Sequence, residues 1–502
     1  MIKKILILLI LIIIYYNFKY LRCSLFETYT NTKIGLITRC KNEKYISTFV
    51  DYYLNEGVDN IFIIDDDSND KSIYDKIISN KNVKIYFSKN IIVNNVAQKV
   101  YDQIKNSFEW MIYVDVDEYI TTKKNKGNTI KEELLSTFKN ADCIQIPWVM
   151  MSFNSIPYDP DNLLESNTYR WNHNERHVNK MSSDHKFRCR YEKIEVKCIF
   201  KTSKFDIIND HSPKTLLPTK LNVVDGVKNK KSYLGRFYKN LREDNIDNGY
   251  LLCYHYRLVS LDHCKRKILE NKWYRDNNYD LIDLMSNDYP ELKDDTLKNK
   301  IINSKLKFVH ITKTGGTTIE NVGLKNNLFW GKNDKNLKGY GGTPPFWHSP
   351  LRDFKKYPYD KNVKLFTVVR NPYDRVVSEC FCKWGGRYIK GKILTKKDFN
   401  YYIRQRLIKL KRNKFHHFKP QYKYIYDKSG KKIVSYILKF ENLNEEFKQL
   451  MQKYGLNIEL DEIYNKSDKK FTIDDIDKEN IVLINNIYDK DFKIFGYKKI
   501  LI

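Results

Sequence analysis

The chain has 502 residues, which is too many for one ordinary hydrophobic core, so we expect two or three domains. Its 42% hydrophobic and 14% aromatic content excludes a largely disordered chain. The 89 basic side chains outnumber the 61 acidic ones and give a net charge of +28, which favours anionic partners such as nucleotide-linked donors, acidic glycans or anionic lipid. The lysines are spread along the chain and no nucleic-acid recognition module is visible, so nucleic acid is not a predicted partner.

The N-terminus carries a short apolar segment. Residues 5–16 are uncharged and almost all Ile and Leu, and aromatic residues suited to a membrane interface follow them. The segment is shorter than the ~20 residues of a typical spanning helix, so a cleaved signal peptide is the alternative. Because no small-residue cleavage site follows, we predict an uncleaved signal anchor over residues 1–24 and a polar stem over residues 25–32.

Nine cysteines are present, and no Cys-x-x-Cys pair occurs among them, which argues against a structural zinc site. An odd count in a compartment that permits disulfides leaves at least one free or intermolecular thiol. Cys23, beside the anchor, is the candidate.

Strands alternate with helices along the chain. Apolar residues at helical spacing, closed by Gly57, predict a helix, and short apolar runs on either side of it predict strands. In chain order the pattern predicts a strand over 33–40, a helix over 43–57, strands over 60–64 and 83–87, a helix over about 94–107, and strands over 110–114, 307–311 and 364–369. This alternation predicts an α/β fold around a mostly parallel sheet.

A charged, weakly periodic stretch divides the chain. We predict a linker over residues 276–304, which leaves one domain over residues 33–275 and another over residues 305–502. No internal repeat is visible, and the two halves share no motif.

Two acidic clusters follow strands in the first half. The sequence IIDDDSND follows the second strand and YVDVDEY follows the fourth, and ligands collect at the carboxyl ends of strands in an open α/β sheet. Asp115 and Asp117 point the same way in an extended chain, where their charges repel unless a cation lies between them. Mg²⁺ or Mn²⁺ bridged to a diphosphate would suit this pair. A lone Asp-x-Asp is more often a solvated turn, but this one directly follows a hydrophobic strand.

Four blocks of the first half occur in a characteristic order: TRCKNEKYISTFVDYYLNEGVDNIFIIDDDSNDKS, WMIYVDVDEY, IQIPWVMM and HYRLVSLDHCKRK. Over about residues 33–275 they resemble the glycosyltransferase family 2-like and family 92-like enzymes. The resemblance implies an A-type, Rossmann-like glycosyltransferase domain that uses a nucleotide-sugar donor.

The same resemblance implies roles for individual residues. The implied residues are Asn42 and Glu43 at the nucleotide end of the first strand, Asp65 and Asp67 near the base and ribose, Asp115 and Asp117 as the metal-binding pair, and Glu118 beside them. His255 is a further metal or diphosphate ligand, or else a packed core histidine. Trp148 stacks on a sugar face or packs in the core. The segment 152–210 departs from the family pattern, and the acceptor site and general base fall there.

The sequence HITKTGGTTIE, residues 310–320, has the composition of a phosphate-binding turn, because backbone N–H groups of a glycine-rich turn at a helix N-terminus can cradle phosphate. The ATPase pattern G-x-x-x-x-G-K-[ST] puts lysine after the glycines, whereas Lys313 precedes them, which argues against a nucleotide kinase. Farther on, FTVVRNPYDRVVSE places Arg370 at a strand end and Ser378 on the helix that Pro372 opens. A guanidinium and a hydroxyl at this spacing can bind one phosphate.

Two phosphate motifs in this order imply a ligand with two phosphate-like ends. They resemble the sulfotransferases that use 3′-phosphoadenosine 5′-phosphosulfate (PAPS), over about residues 305–502 and closest to Golgi carbohydrate sulfotransferases of the heparan 2-O type. PFWHSPLRDF, HHFKPQYKYI and ILKFENLNEEF are supporting blocks. The resemblance implies a P-loop-like α/β domain in which Lys313 steadies the oxygen that bridges sulfate and phosphate, while Arg370 and Ser378 hold the 3′-phosphate.

The remaining donor contacts follow from the same resemblance, and the implied 5′-phosphate ligands are Thr314, Gly315, Gly316, Thr317 and Thr318. No metal ion is required for sulfuryl transfer. The acceptor hydroxyl needs a general base. We predict His348 for this role, with Glu320 or the His416/His417 pair as alternatives.

The sequence therefore predicts a membrane-anchored bifunctional transferase. It would add a sugar from a nucleotide-sugar donor, with Mn²⁺ or Mg²⁺, and a sulfuryl group from PAPS to a carbohydrate acceptor. By resemblance, we expect a single-pass type II protein facing the Golgi or endoplasmic reticulum lumen. The alternative is a single-activity sulfotransferase whose first domain is a degenerate glycan-binding module.

Overall fold

The computed structural model describes residues 32–175, 193–216, 220–232, 234–337, 346–360, 362–382, 395–410, 417–460 and 470–502. It comprises two compact units, the first ending at Lys298 and the second beginning at Asn299. The predicted anchor, nearly all of the predicted stem, Cys23 and His416 lie outside the described residues. Within those ranges, no helix has both the length and the apolar character needed to cross a bilayer.

The first unit alternates strands and helices at its start and is richer in strands afterwards. Its strands are β1 (Ile34–Cys40), β2 (Asn60–Asp66), β3 (Val83–Ser88), β4 (Trp110–Tyr113), β5 (Glu118–Thr122), β6 (Cys143–Ser152), β7 (Tyr169–Arg170), β8 (Lys193–Lys201), β9 (Val223–Asp225), β10 (Phe237–Lys239), β11 (Leu251–His255) and β12 (Leu292–Lys293). Its helices are α1 (Ile46–Asn55), α2 (Val96–Ile104), α3 (Ile130–Leu135), α4 (Leu163–Ser166), α5 (Glu243–Asp247), α6 (Leu261–Glu270), α7 (Lys272–Asp276) and α8 (Leu281–Met285).

The second unit, including α9 at the boundary, is mainly helical. Its strands are β13 (Leu306–Val309), β14 (Lys364–Val369) and β15 (Tyr436–Lys439). Its helices are α9 (Thr296–Lys305), α10 (Gly316–Lys325), α11 (Pro372–Cys380), α12 (Lys396–Lys409), α13 (Tyr422–Ile425), α14 (Leu443–Lys453), α15 (Lys478–Ile487) and α16 (Asp489–Phe495). The strands and helices predicted from the sequence agree with these bounds to within a few residues.

Twelve strands within the described residues form one mixed sheet in the first unit. The path runs β12-β7-β6-β8-β4-β1-β2-β3, with β9, β10 and β11 paired onto it and β5 paired with β11. The β4-β1-β2-β3 part is parallel, whereas β8 is antiparallel to both β4 and β6. Beyond these four strands the expectation of a mostly parallel sheet was wrong, because β6 pairs parallel with β9 and β11 while the other pairs are antiparallel. Helical crossovers, which parallel pairing requires, occur mainly between the first four strands.

Helix α1 fixes the start of β5, which follows the acidic pair. It buries Phe49 and Tyr53 at the spacing predicted from the sequence. The Tyr53 hydroxyl donates to the Glu118 carbonyl at 2.9 Å, and the Tyr52 hydroxyl donates to the Ile120 carbonyl at 2.8 Å. These buried hydrogen bonds hold the strand that begins immediately after Asp117.

The second unit contains a three-stranded parallel sheet in the order β13-β14-β15. Its core packs helices α10 and α14 against the strands through Phe308, Ile319, Phe366 and Phe447. Trp330 is fully buried in the same core and donates its indole N–H to the Leu306 carbonyl at 3.0 Å. Because β13 and β14 are parallel neighbours, the loops that follow them meet at one edge of the sheet.

The segment 276–304, predicted as a linker, is ordered structure. It contains α8 and β12 and most of α9, and β12 pairs antiparallel with β7 in the first unit. Asp294 shows that the charges of this segment do not all lie in solvent. The Asp294 carboxylate accepts a hydrogen bond from Arg170 at 2.8 Å and from the Tyr254 hydroxyl at 2.9 Å. Composition alone does not distinguish a buried, ion-paired carboxylate such as Asp294 from the exposed charges of a solvated linker.

Candidate active sites

The first candidate site lies at the carboxyl ends of the parallel strands. The residue after β4 leads into a turn in which the Asp115 amide donates to Glu118 Oε2 at 2.7 Å and the Glu118 amide donates to the Asp115 carbonyl at 3.1 Å. The acidic pair is therefore in a turn and not in extended chain. Consequently Asp115 and Asp117 contact different basic side chains.

Asp115 contacts two cationic side chains. Its Oδ1 accepts from Arg39 at 2.8 Å and its Oδ2 from Lys197 at 3.1 Å. Burial would raise the pKa of Asp115, but the charges of Lys197 and Arg39 outweigh burial and hold that pKa well below its usual value. Asp115 is therefore ionised at any physiological pH.

Asp117 contacts His255 and Lys267, each at 3.5 Å from Oδ2. Burial opposes its ionisation, but His255 and Lys267 lower its pKa below the usual range. The His255 ring lies against Trp148, with ring centroids 4.1 Å apart. The structure thus brings together Asp115, Asp117, His255 and Trp148, all of which line one cavity of about 460 Å³.

The carboxylates that line the cavity carry more negative charge than the basic side chains beside Asp115 and Asp117 can neutralise. Burial, followed by the charges of neighbouring carboxylates, raises the pKa of Glu118 to about 8. Burial and the charge of Asp117 raise the pKa of Glu43 to about 7. Glu118 Oε1 is buried and has no hydrogen-bond partner within the described residues. A divalent cation held by Asp115, Asp117 and His255 would relieve this excess of negative charge, so the residues present fit such an ion.

The other predicted residues of the first site have different surroundings. Asp65 is fully buried, and its carboxylate accepts from Lys71, from the Ser68 amide at 3.2 Å and from the Tyr74 hydroxyl at 2.5 Å. Its neighbour Asp66 lines the cavity instead. Asp65 therefore holds its own loop together.

Two further predicted residues lie in the loops near that strand end. Asp67 has a positive φ of 57° and pairs with Lys89 at 2.9 Å. Asn42 also has a positive φ, 55°, and its side-chain oxygen accepts from the Asn69 amide at 2.8 Å. Asn42 thus ties the loop after β1 to the loop after β2.

Sequence reasoning missed the cations of this site. Lys197 has a side chain only 2% exposed and contacts both Asp115 and Glu118, and Lys267 and Arg39 complete the set. Lys267 lies within the HYRLVSLDHCKRK block, so the family resemblance could have marked it as a site residue. Lys197 lies within the segment that departs from the family pattern, where no motif marks it.

The second candidate site begins where β13 ends. Lys313 has a φ of 62° and Gly315 a φ of 85°, so the chain turns through two left-handed residues before α10 begins at Gly316. A lysine is uncommon in this conformation, which makes the turn a candidate for ligand binding. A Cβ on Gly316 would lie 2.3 Å from the His310 ring, so only glycine permits this packing.

The threonines of the turn differ in their surroundings. Thr314 is fully buried, and its hydroxyl donates to the Ile311 carbonyl at 2.8 Å, so its side chain stabilises the turn itself. Thr318 is 6% exposed, whereas Thr317 is half-buried at the first turn of α10. Thr317 is therefore the more accessible of these two hydroxyls.

Arg370 reaches the glycine turn from the neighbouring strand end. Its guanidinium donates to the Lys313 carbonyl at 3.3 Å and lies over the Phe440 ring at 4.1 Å. Burial lowers the pKa of Arg370, and its Nε is buried without a hydrogen-bond partner in the described part of the chain. Ser378 is 4% exposed and lies on α11, the helix that Pro372 begins and Asn371 caps.

Three histidines lie together beside the turn. The His348 ring centroid is 4.5 Å from that of His310 and 5.7 Å from that of His417. Glu320, an alternative general base, accepts from His310 at 2.7 Å and from the Lys332 amide at 2.8 Å, both on Oε1. Those contacts occupy the carboxylate oxygen that faces the histidines and disfavour Glu320 as a base.

His417 is disfavoured as a base by its charge. Its Nδ1 lies 2.7 Å from Glu379 Oε2. Burial would lower the pKa of His417, but Glu379 outweighs burial and raises that pKa to about 9. A protonated imidazole cannot accept a proton at neutral pH, which argues against His417 and leaves His348 as the remaining predicted base within the described residues.

Two protein families match the chain in adjacent regions. The sequence model of Glycosyltransferase family 92 matches residues 43–299, and that of the Sulfotransferase family matches residues 303–498. Both resemblances are therefore confirmed at the level of these families. No curated protein matches the chain.

Solved structures resemble parts of the chain weakly. TarS 1–349 from S. aureus is 19% identical over 34% of this chain and 48% of its own, with a TM-score of 0.19. Its complex with UDP is 18% identical over 34% and 47%, with a TM-score of 0.20. A 4-diphosphocytidyl-2C-methyl-D-erythritol synthase from Anaerococcus prevotii DSM 20548 is 10% identical over 43% and 96%, with a TM-score of 0.21. This chain thus spans about half of the length of TarS 1–349.

Proposed function

Because the chain belongs to glycosyltransferase family 92 and carries a sulfotransferase-family region after it, we propose that it is a bifunctional glycan-modifying transferase. The observation that carries the proposal is the separation of two chemically different sites, one on each unit. One is a cavity rich in carboxylates, and the other is a glycine turn with Lys313 and Arg370. Each suits an anionic donor of a different kind.

The first site would take a nucleotide sugar. Asp115, Asp117 and His255 would hold Mn²⁺ or Mg²⁺, which when bound neutralises charge on the donor diphosphate. Lys267 and Arg39 add positive charge on the cavity wall, where they orient an anionic donor. Trp148 also lines the cavity and offers an aromatic face for a sugar ring.

The second site would take PAPS. In the proposed reaction the acceptor oxygen forms a bond to sulfur, and the bond from sulfur to the bridging phosphate oxygen breaks. His348 takes the proton from the acceptor hydroxyl. Lys313 stabilises the negative charge that develops on the bridging oxygen, and the amides of Gly315 and Gly316 hold the 5′-phosphate.

The remaining residues of the second site select the donor. Arg370 and Ser378 would bind the 3′-phosphate, which distinguishes PAPS from ATP. A thermal-shift comparison of 3′-phosphoadenosine 5′-phosphate with ATP tests this selection. A ligand at 100 times its Kd stabilises the folded protein by about 2.7 kcal/mol, and we expect the shift with the bisphosphate alone. An equal shift with ATP would contradict the assignment.

The acceptor is proposed to be a carbohydrate that receives both groups. The experiment is incubation of the full chain with a panel of nucleotide sugars and then PAPS on a glycan array. Glycans that gain both labels support the bifunctional enzyme. Glycans that gain sulfate alone support the alternative.

One observation favours that alternative, a sulfotransferase with a degenerate glycan-binding first domain. Both Asp115 oxygens have cationic partners, Arg39 and Lys197, so a metal ion at Asp115 would be repelled by two neighbouring positive charges. Retained glycan binding without sugar transfer in any panel member would identify this case.

We also propose that residues 1–24 anchor the protein as a type II membrane protein facing the Golgi or endoplasmic reticulum lumen. The support is the apolar run at residues 5–16 with aromatic residues after it. Deletion of residues 1–24 should release a soluble protein with both activities, because no predicted site residue precedes Asn42. A folded truncation without either activity would contradict this assignment.

A further inference from the structure

A cluster of three metal-ligating residue types lies beside the second site. Glu379 is near the end of α11, Cys382 lies just beyond that helix, and His417 joins them from a distant segment. One ligand atom from each residue lies within 4.8 Å of the other two. None of these three residues belongs to the proposed donor-binding set.

Glu379 provides a second observation. Its carboxylate is completely buried, and only Oε2 contacts His417, at 2.7 Å. Oε1 is buried and has no hydrogen-bond partner anywhere in the described ranges. Leaving a buried carboxylate oxygen unsatisfied costs free energy, so such a group indicates a missing cation or donor.

We propose that Glu379, Cys382 and His417 bind one divalent metal ion of the zinc class. A thiolate, an imidazole and a carboxylate are the ligands that Zn²⁺ takes, whereas Mg²⁺ and Mn²⁺ favour oxygen. Zn²⁺ bonds are about 2.0–2.3 Å long and tetrahedrally arranged, so two ligand atoms of one ion are about 3.3–3.8 Å apart. The three ligand atoms lie within 4.8 Å of one another, so a contraction of no more than about 1.5 Å would bring them to these distances.

The surrounding contacts hold the ligands in place. The Arg375 guanidinium donates to the His417 carbonyl at 2.8 Å and to the Lys419 carbonyl at 2.9 Å, and the Thr312 hydroxyl donates to the His417 carbonyl at 3.1 Å. Arg375 lies on α11, as Glu379 does, so the two segments that supply ligands are already joined. Outer contacts of this kind orient metal ligands before the ion binds.

Three protein ligands leave a fourth tetrahedral position for water or an anion. An ion there would link the end of α11, which carries Ser378, to the segment at His417. Because the thiol and the imidazole must lose their protons, binding releases protons to solution. The site is independent of the proposed donor chemistry and can be tested without measuring sulfation.

Titration of the purified full chain with Co²⁺ tests the proposal. A cobalt–thiolate bond gives a near-ultraviolet charge-transfer absorption that oxygen ligands do not give, so the carboxylate cavity of the first unit does not interfere. We expect the band to saturate at one thiolate-bound Co²⁺ per chain and to disappear when Zn²⁺ is added. Cys382→Ser should abolish the band.

Cys380→Ser is the matched control. Cys380 is also buried, two residues away, but its Sγ donates to the Val376 carbonyl at 3.3 Å and is outside the cluster. We expect Cys380→Ser and Asp117→Ala to keep the band. His417→Asn should weaken Co²⁺ binding at least tenfold. If circular dichroism shows that Cys382→Ser does not fold, His417→Asn takes its place as the test. A wild-type chain without the band, or a band unchanged in folded Cys382→Ser, would overturn the proposal.

Discussion

In the first unit the parallel strands end in carboxylates, whereas in the second unit they end in a glycine turn with basic side chains. Asp115 and Asp117 contact Arg39, Lys197 and Lys267, with His255 also beside Asp117, and these four side chains come from distant parts of the chain. Lys313, Gly315 and Gly316 come instead from one short loop. The acidic site thus depends on long-range contacts, whereas the glycine turn of the second site is built from one short segment whose backbone amides can bind an anion.

The largest expected effect is on the acidic site. Asp117→Ala should abolish sugar transfer and leave sulfation unchanged, because Asp117 would be a metal ligand on the first unit. EDTA should reproduce the loss for sugar transfer only. Asp102→Ala, an exposed aspartate on α2, is the control and should keep both activities. Sugar transfer that is unchanged in EDTA would contradict the assignment of a metal ion to this site.

Arg370 should affect donor binding more than chemistry. Its proposed partner, the 3′-phosphate, is charged throughout the reaction, so Arg370→Ala should weaken donor binding by roughly 2–5 kcal/mol. Turnover at saturating PAPS should change little. Calorimetry measures the donor Kd, and a rate assay at saturating PAPS measures the turnover. A variant that binds PAPS normally but turns over slowly would contradict this role.

Lys313 should show the opposite division. Its interaction strengthens as charge develops on the bridging oxygen, so Lys313→Ala should reduce turnover on the order of 10²- to 10³-fold with little change in donor Kd. Lys325→Ala, at the far end of α10, is the control. If Lys313→Ala weakens binding without slowing turnover, the lysine is only a phosphate contact.

The smallest expected effect concerns pH. Burial and the charge of Asp117 raise the pKa of Glu43 to about 7, so Glu43 gains its negative charge as the pH rises through that value. Apparent Mn²⁺ affinity for sugar transfer should therefore increase from about pH 6 to about pH 8. In Glu43→Gln this increase should be smaller. An identical pH profile in the variant would show that Glu43 does not face the ion.

The local features were predictable from the sequence. Helix α1, the first four strands, the glycine turn and the helix begun by Pro372 follow from periodicity, glycine placement and proline geometry. These features depend on residues close together in the chain. The two family resemblances further predicted which site comes first along the chain.

Long-range contacts were not predictable in the same way. Lys197 reaches Asp115 from 82 positions along the chain, and no pattern marks a buried lysine as an ion-pair partner. The antiparallel pairs of the sheet beyond β4 also depend on contacts between strands that composition does not reveal. Cys382 and His417 are 35 residues apart and come together only in the folded chain, so the proposed metal site has no local spacing such as Cys-x-x-Cys that would mark it.

The central claim is that one chain carries two independent transferase sites. The most direct test measures incorporation of labelled sugar and labelled sulfate into one acceptor by wild type, Asp117→Ala and Lys313→Ala. Asp117→Ala should incorporate sulfate alone, provided the acceptor is supplied with its sugar already attached, and Lys313→Ala should incorporate sugar with sulfation reduced on the order of 10²-fold or more. Loss of both labels in either folded variant would contradict the account.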